Sequence, residues 1–447
     1  MSVVQIEVLP AHLTSQMAPE IIDMILDNFH QSKKDLSTCS LVCRAWLPVC
    51  RYHLFSVVSY CAEFAHLLAS STHASLTISP YIRTITLKGP LPQHKENNLL
   101  IDSILSLPRV TSLRIEQVGW DSVCMKPPSY FTPALLESST PRALLSLNLR
   151  QVNLPSFSEL ADFLGLFTSL QNLTLEDVSW DTIGCRSGEG ATFVSSSSLK
   201  KLRVIFSNNR IILNWLYRGI MSDAVLENGT AYRRSFPHLT MLSFPDILPG
   251  EADILGAFLD SLGDSLECLE VGILIQDLDG RNTDGQCLFI HDNLSRNTEA
   301  DAIPSSKALS QSLELSRNVS LKTIAIHKIT LFQFPPFVTP EADAFHSLAQ
   351  PSMIASPYAW IPTIISSVRS EEIQTMEFHI WFSSESQLDQ FPWSSLCSIL
   401  TDLGISTLIF HVFGTGADME LVRAWFMKRL APIDLIKTTI EFDFQLA

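Results

Sequence analysis

The sequence is short of charge, and shorter still of positive charge. Only 17% of its residues are Asp, Glu, Lys or Arg, and 31 basic residues stand against 46 acidic ones for a formal net charge of -15. A general binder of phosphate backbones or anionic bilayers needs a net positive surface, so neither nucleic acid nor membrane is an expected partner. The first sixteen residues contain no Lys or Arg, and no stretch approaches the roughly eighteen apolar residues needed to span a bilayer, so neither a signal peptide nor an anchor is expected. The nine cysteines form no CxxC pair and their number is odd, which argues against a secreted disulfide framework and for a reduced compartment, cytoplasmic and/or nuclear. Also missing are GxxxxGK[ST], a GxGxxG after a strand, HExxH, GxSxG and an EF-hand loop. The expectation is a protein that is not an enzyme, with no cofactor and no metal.

What the chain does have is apolar residues, 46% over 447 positions, enough for several globular units or one extended repeat array. Two regions organise them. In residues 15–60, MAPEIIDMILDNFHQ carries Pro19 at a position that suits a first helical turn, Glu20 to complement the positive helix end, and Ile21, Ile22, Ile25, Leu26 and Phe29 on one stripe. Asp35 then reads as the N-cap of a second helix over LSTCSLVC, and AWLPVCRYHLF reads as a third. Three short helices of this size cannot cover all their apolar surface among themselves. Two readings follow: the helices cap the rest of the chain, or they hold an external partner. A zinc site from Cys39, Cys43, Cys50 and Cys61 with His30, His53 and His66 lacks the short CxxC knuckles such sites use.

Residues 61–447 repeat a pattern LxxLxL, with any large apolar residue at each L, at Ile82, Val110, Leu144, Leu170, Leu199, Leu239, Leu266, Leu321, Ile373 and Ile405. The last two apolar positions share a strand face and the first enters the core through the preceding turn. Amphipathic stretches between them, such as Phe157 to Phe167 and Ile254 to Leu262, predict helices, so the expected fold class is α/β, a parallel sheet on one side and helices on the other. Two segments look inserted, 277–308, rich in Gly, Asn and Asp, and the Pro-rich 333–362, a candidate lid.

On Pro19, Glu20, Ile21, Leu26, Asp35, Leu36, Ser40, Leu41, Val42, Cys43, Arg44, Trp46, Leu54 and Phe55 the N-terminal segment resembles an F-box, with SLVCRAW its most specific piece. Met17 and Ala18 stand where that family usually has Leu ahead of Pro19. The resemblance implies a three-helix motif that docks on the linker protein Skp1 and through it a cullin-RING ubiquitin ligase. The implied contact residues are Met17, Pro19, Glu20, Ile21, Ile22, Ile25, Leu26, Leu36, Leu41, Val42, Cys43, Trp46 and Leu54. The rest of the chain is similar to leucine-rich repeats, as an irregular solenoid behind the F-box. It departs from that family by carrying Val118, Val152, Val178 and Ile329 where Asn or Cys is usual.

Together these imply a substrate-recruiting adaptor whose solenoid holds an unidentified target protein. The alternative is a scaffolding repeat protein capped by its N-terminal helices. Strand alternation turns Lys88, Arg114, Glu116, Asn148, Arg150, Glu176, Arg203, Glu270, His327, Glu377 and His379 outward, and Arg114, Glu116, Arg150, Glu176, His327 and His379 are the target-binding candidates. His327, His379 and His411 occupy one position of their repeats, just past the last strand apolar residue. They would approach a metal only if their strands were neighbours, and no carboxylate or Cys accompanies all three at a constant spacing, so solvent-facing strand residues are the expectation.

Overall fold

The computed structural model describes residues 18–61, 64, 78–89, 104, 107–120, 144–182, 198–207, 209–226, 236–274, 312–331, 358–382, 384–414, 419–433 and 437–446. Met17, the segment 277–308 and all of 333–362 before residue 358 lie outside them. The fold is α/β with parallel strands, in two compact units: Met1–Leu170 with Val178–Gly188, and Gln171–Asp177 with Glu189–Ala447.

The first unit opens with α1 (Pro19–Asp27), α2 (Lys33–Cys39) and α3 (Leu47–Phe55). Pro19 sits at the start of α1, where a missing N–H costs nothing, and Glu20 lies in its first turn. The N-cap of α2 is Ser32, not Asp35: the helix begins two residues before Asp35, whose N–H donates to Ser32 Oγ at 3.3 Å while its carboxylate sits in the first turn. The expected helix over residues 36–43 therefore ends at Cys39, and Leu41 and Val42 stand in turns closed by Leu41 N–H to Thr38 O and Val42 N–H to Cys39 O, each at 3.1 Å.

Ser56 joins α3 directly to β1 (Val57–Ser59), and its carbonyl accepts from the N–H groups of Arg83 and Thr84 at 3.0 and 2.8 Å. Strands β1, β2 (Thr84–Lys88), β3 (Ser112–Glu116) and β4 (Ser146–Arg150) pair in parallel. A second parallel pair, β5 (Asn153–Ser156) and β7 (Ser179–Thr182), flanks α4 (Phe157–Gly165), which buries Phe157, Leu160, Phe163 and Leu164.

The second unit holds β6 (Asn172–Glu176), β8 (Lys201–Ile205), β9 (Met241–Ile247), β10 (Cys268–Ile273), β11 (Thr323–Leu331), β12 (Thr375–Phe382), β13 (Thr407–Gly414) and β14 (Thr439–Leu446), each parallel to the next. Between them run α5 (Asn209–Leu226), α6 (Ala252–Leu262), α7 (Trp360–Ser366), α8 (Trp393–Leu403) and α9 (Met419–Arg429). The C-terminal residues of the expected lid thus form α7, whose Trp360, Ile361 and Pro362 are core.

In β12 and β13 burial alternates strictly, Met376, Phe378, Ile380 and Phe382 inward and Glu377, His379 and Trp381 half exposed. Helices cover the inward face: Phe410 lies 5.1 Å from Phe426 of α9 and 6.1 Å from Trp393 of α8, ring centre to ring centre. The opposite face of these strands carries Glu377, His379, Trp381 and His411. Among the described residues no helix is long and apolar enough to cross a membrane.

Candidate functional site

In the N-terminal helices the apolar stripe divides. Ile22, Leu26 and Cys50 form a sealed cluster with Cys39, Trp46 and Val49 packed around it, Leu36 is buried too, and His53 Nε2 meets Asp27 Oδ1 at 2.9 Å to tie α3 to α1. Of the residues the F-box resemblance implies as contacts, Ile22, Leu26 and Leu36 therefore hold the helices together and present no surface. Ile25, Cys43, Trp46 and Leu54 are half-buried, and Glu20 is exposed. Among the helices and the turns between them, the most exposed apolar side chains are Leu41 at 86%, Met24 at 65%, Val42 at 51% and Ile21 at 47%, and Tyr52 and Phe29 are exposed as well. Met24 was missing from the sequence-derived contacts, although its spacing from Ile21 by one helical turn marks it as a neighbour.

The outward strand face gathers a second set. In the first unit Arg114, on β3, is exposed, its guanidinium 3.6 Å from Glu116, and Arg150 stands opposite Glu116 on β4. In the second unit Glu176 ends β6 and faces Ile205. His327, His379 and His411 lie within β11, β12 and β13, which continue past the point where the repeat pattern ended them, and those strands are adjacent. The imidazoles stack, His327 to His379 at 4.0 Å and His379 to His411 at 4.3 Å between ring centres.

A β-bulge positions the first of them. Between Ile326, paired with Phe378, and Ile329, paired with Ile380, β11 spends two residues against one, and Lys328 takes a left-handed φ of 56°. That turns His327 onto His379 and sends the Lys328 ammonium to Asp246 Oδ1 at 3.6 Å and over the rings of Phe206 and Trp381. Burial holds the buried Asp246 carboxyl above its usual range, with the Lys328 charge pulling the other way. Trp381 stacks on Phe413 at 4.2 Å and continues the ring row along the same face.

Carboxylates reach the histidines in space, although no constant sequence spacing links them. Glu377 precedes His379 by two residues and so shares its face, Glu270 Oε2 lies 3.8 Å from His327 Nε2, and Asp443 pairs with His411 from β14. Burial is the main cause that pulls His379 down to about 3, helped by the neighbouring His327 and His411, and it pulls His327 down to about 4 against the opposing pull of Glu270. His327 and His379 are therefore neutral imidazoles near pH 7. Asp443 is held below the usual carboxylate range by hydrogen bonds from Gln445 and His411.

The signal for Asp443 was present in the alternation TIEFDF, but Lys437 occupies the first position of that repeat and hid the strand from a search for apolar triplets. No protein-family model matches the chain, and no curated protein matches it significantly.

Proposed function

We propose that the chain is a substrate-recruiting adaptor of an SCF-type (Skp1-cullin-F-box) ubiquitin ligase, with α1 to α3 as an F-box that docks on Skp1 and the parallel-sheet region as an irregular leucine-rich-repeat-like solenoid that holds a target protein. The observation that carries this reading is the apolar set Ile21, Met24, Leu41 and Val42, left open to solvent by helices whose own core is already closed by Ile22, Leu26, Leu36 and Cys50. Exposed Leu and Met within one short cassette cost solubility and gain a purpose once a partner helix covers them.

The outward strand face supplies the target-binding side. Its residues are of both signs and include the aromatic row of Trp381 and Phe413, a combination suited to protein recognition through a few buried anchors and a polar surround. Catalysis is left to the ligase.

A scaffolding role for the cassette has its own support, because α3 runs into β1 and the Ser56 carbonyl is bonded to the start of β2. A cap and a docking motif differ in one measurement. Purified full-length protein is mixed with recombinant Skp1 and run on size exclusion. The adaptor reading expects co-elution at one-to-one stoichiometry and its loss in Leu41→Asp, whose thermal unfolding matches wild type. A folded wild-type chain that elutes alone contradicts it and leaves the cap.

A further inference from the structure

We infer that Glu377, His379 and His411 form a binding site for one divalent transition-metal ion, zinc being the natural occupant, with Asp443 as the group that orients His411. One ligand atom from each of Glu377, His379 and His411 lies within 4.8 Å of the other two, and among the described residues this is the group of His, Cys, Asp or Glu that meets such a condition. The inference is independent of the ligase reading and concerns residues of the second unit alone.

The arrangement around His411 supports this. Asp443 Oδ2 accepts from His411 Nδ1 at 3.0 Å, which fixes the ring and turns its other nitrogen away from Asp443. His411 Nε2 faces Glu377 Oε2 at 3.7 Å. A carboxylate bonded to the far nitrogen of a ligating imidazole is also the usual way proteins orient such a ligand and raise its basicity.

Tetrahedral zinc bonds of about 2.0–2.1 Å place ligand atoms about 3.3 Å apart, so the His411 to Glu377 pair needs to close by roughly 0.4 Å. The ring planes of His379 and His411, 17° apart, must splay to direct both lone pairs at one point. Strands β12 and β13 hold the three ligands in register, with His379 opposite His411 and Glu377 two residues before His379. Side-chain exposures of 23% for His411 and 28% for Glu377 leave the ion a path from solvent and leave its fourth position open. His and carboxylate without thiolate is a donor set for zinc, cobalt or nickel rather than for copper(I).

The test uses full-length protein stripped with a chelator, dialysed, and titrated with zinc in competition with a chromogenic chelator, and separately with cobalt. The expected result is one equivalent per chain in wild type, loss of at least a hundredfold in affinity for Glu377→Gln and for His379→Gln, and a loss of roughly tenfold to a hundredfold for Asp443→Asn. Cobalt should give visible ligand-field bands without the thiolate charge-transfer band that binding by cysteines would add. Circular dichroism and thermal unfolding of the apo variants establish that they are folded. A folded wild-type chain that takes up no equivalent at micromolar zinc, or uptake that survives in both Gln variants or carries the thiolate band, overturns the inference and leaves an ion-free stack of imidazoles.

Discussion

Leu26 and Leu41 are one residue type in two situations, the first sealed at 0% exposure and the second open at 86%. Leu26→Ala removes packed methyl groups from the centre of the helical cassette and is expected to cost about 2–5 kcal/mol in urea unfolding. Leu41→Ala is expected to stay within about 0.5 kcal/mol of wild type, so that any loss of partner binding it causes is read as loss of contact. Gly272 is the other residue with a sharp expectation. A Cβ there would stand 2.2 Å from the Pro245 carbonyl oxygen and 2.8 Å from that of His327, both backbone. Gly272→Ala must push β9 or β11 aside, for an expected loss of about 1–3 kcal/mol.

At the scale of elements, the repeat pattern located strands with a constant offset. In all ten instances the strand begins two residues after the first apolar position, Ile82 before Thr84, Val110 before Ser112 and so on to Ile405 before Thr407, and each first residue is buried. The pattern works because one apolar residue must close the turn before two more enter the sheet core. An eleventh instance, Phe55, Val58 and Tyr60, lies inside the segment read as purely helical and forms β1. What the pattern could not give was the turn after each strand. Gln117, Gln151, Asp177 and Phe206, each one residue past a strand, adopt φ between 47° and 55°, and Val118, Val152 and Val178 then drop into the core. Gln and Asp at left-handed positions have no strong sequence signature, whereas Gly would have had one. Gln151→Val is expected to destabilise by about 1–2 kcal/mol and Gln151→Gly by far less, measured by urea unfolding.

The histidine stack was half legible. Its equal repeat positions are visible in the sequence, but neighbourhood in space depends on strand order, and the companion carboxylate of β14 was hidden behind Lys437. Its pH behaviour follows from burial. Unfolded histidine titrates near 6.5, whereas His327 holds its neutral form down to about 4 and His379 to about 3. Between those values the unfolded chain binds more protons, so the stability these groups lend is whole above pH 6.5 and falls as the pH is lowered toward 4. In chelator, the urea midpoint of wild type should drop between pH 7 and 5 by more than that of His379→Gln. The comparison cancels the opposing effect of Asp246 and Glu251, whose carboxyls burial holds above their ordinary range. Parallel pH profiles would refute the assignment.

For the whole molecule, the sequence disclosed the fold class and most of the strands because both rest on local periodicity. It did not separate the cassette residues that close a core from those that face solvent, since a stripe of Ile21, Ile22, Ile25 and Leu26 carries no mark of which side meets α3. That division is the basis of the account. Hydrogen exchange of the full-length chain with and without recombinant Skp1 tests it most directly. The account predicts slowed exchange confined to the backbone around residues 20–25 and 40–46, with β2 to β14 unchanged. Absence of any slowing at saturating Skp1, or slowing on the strands alone, would contradict it.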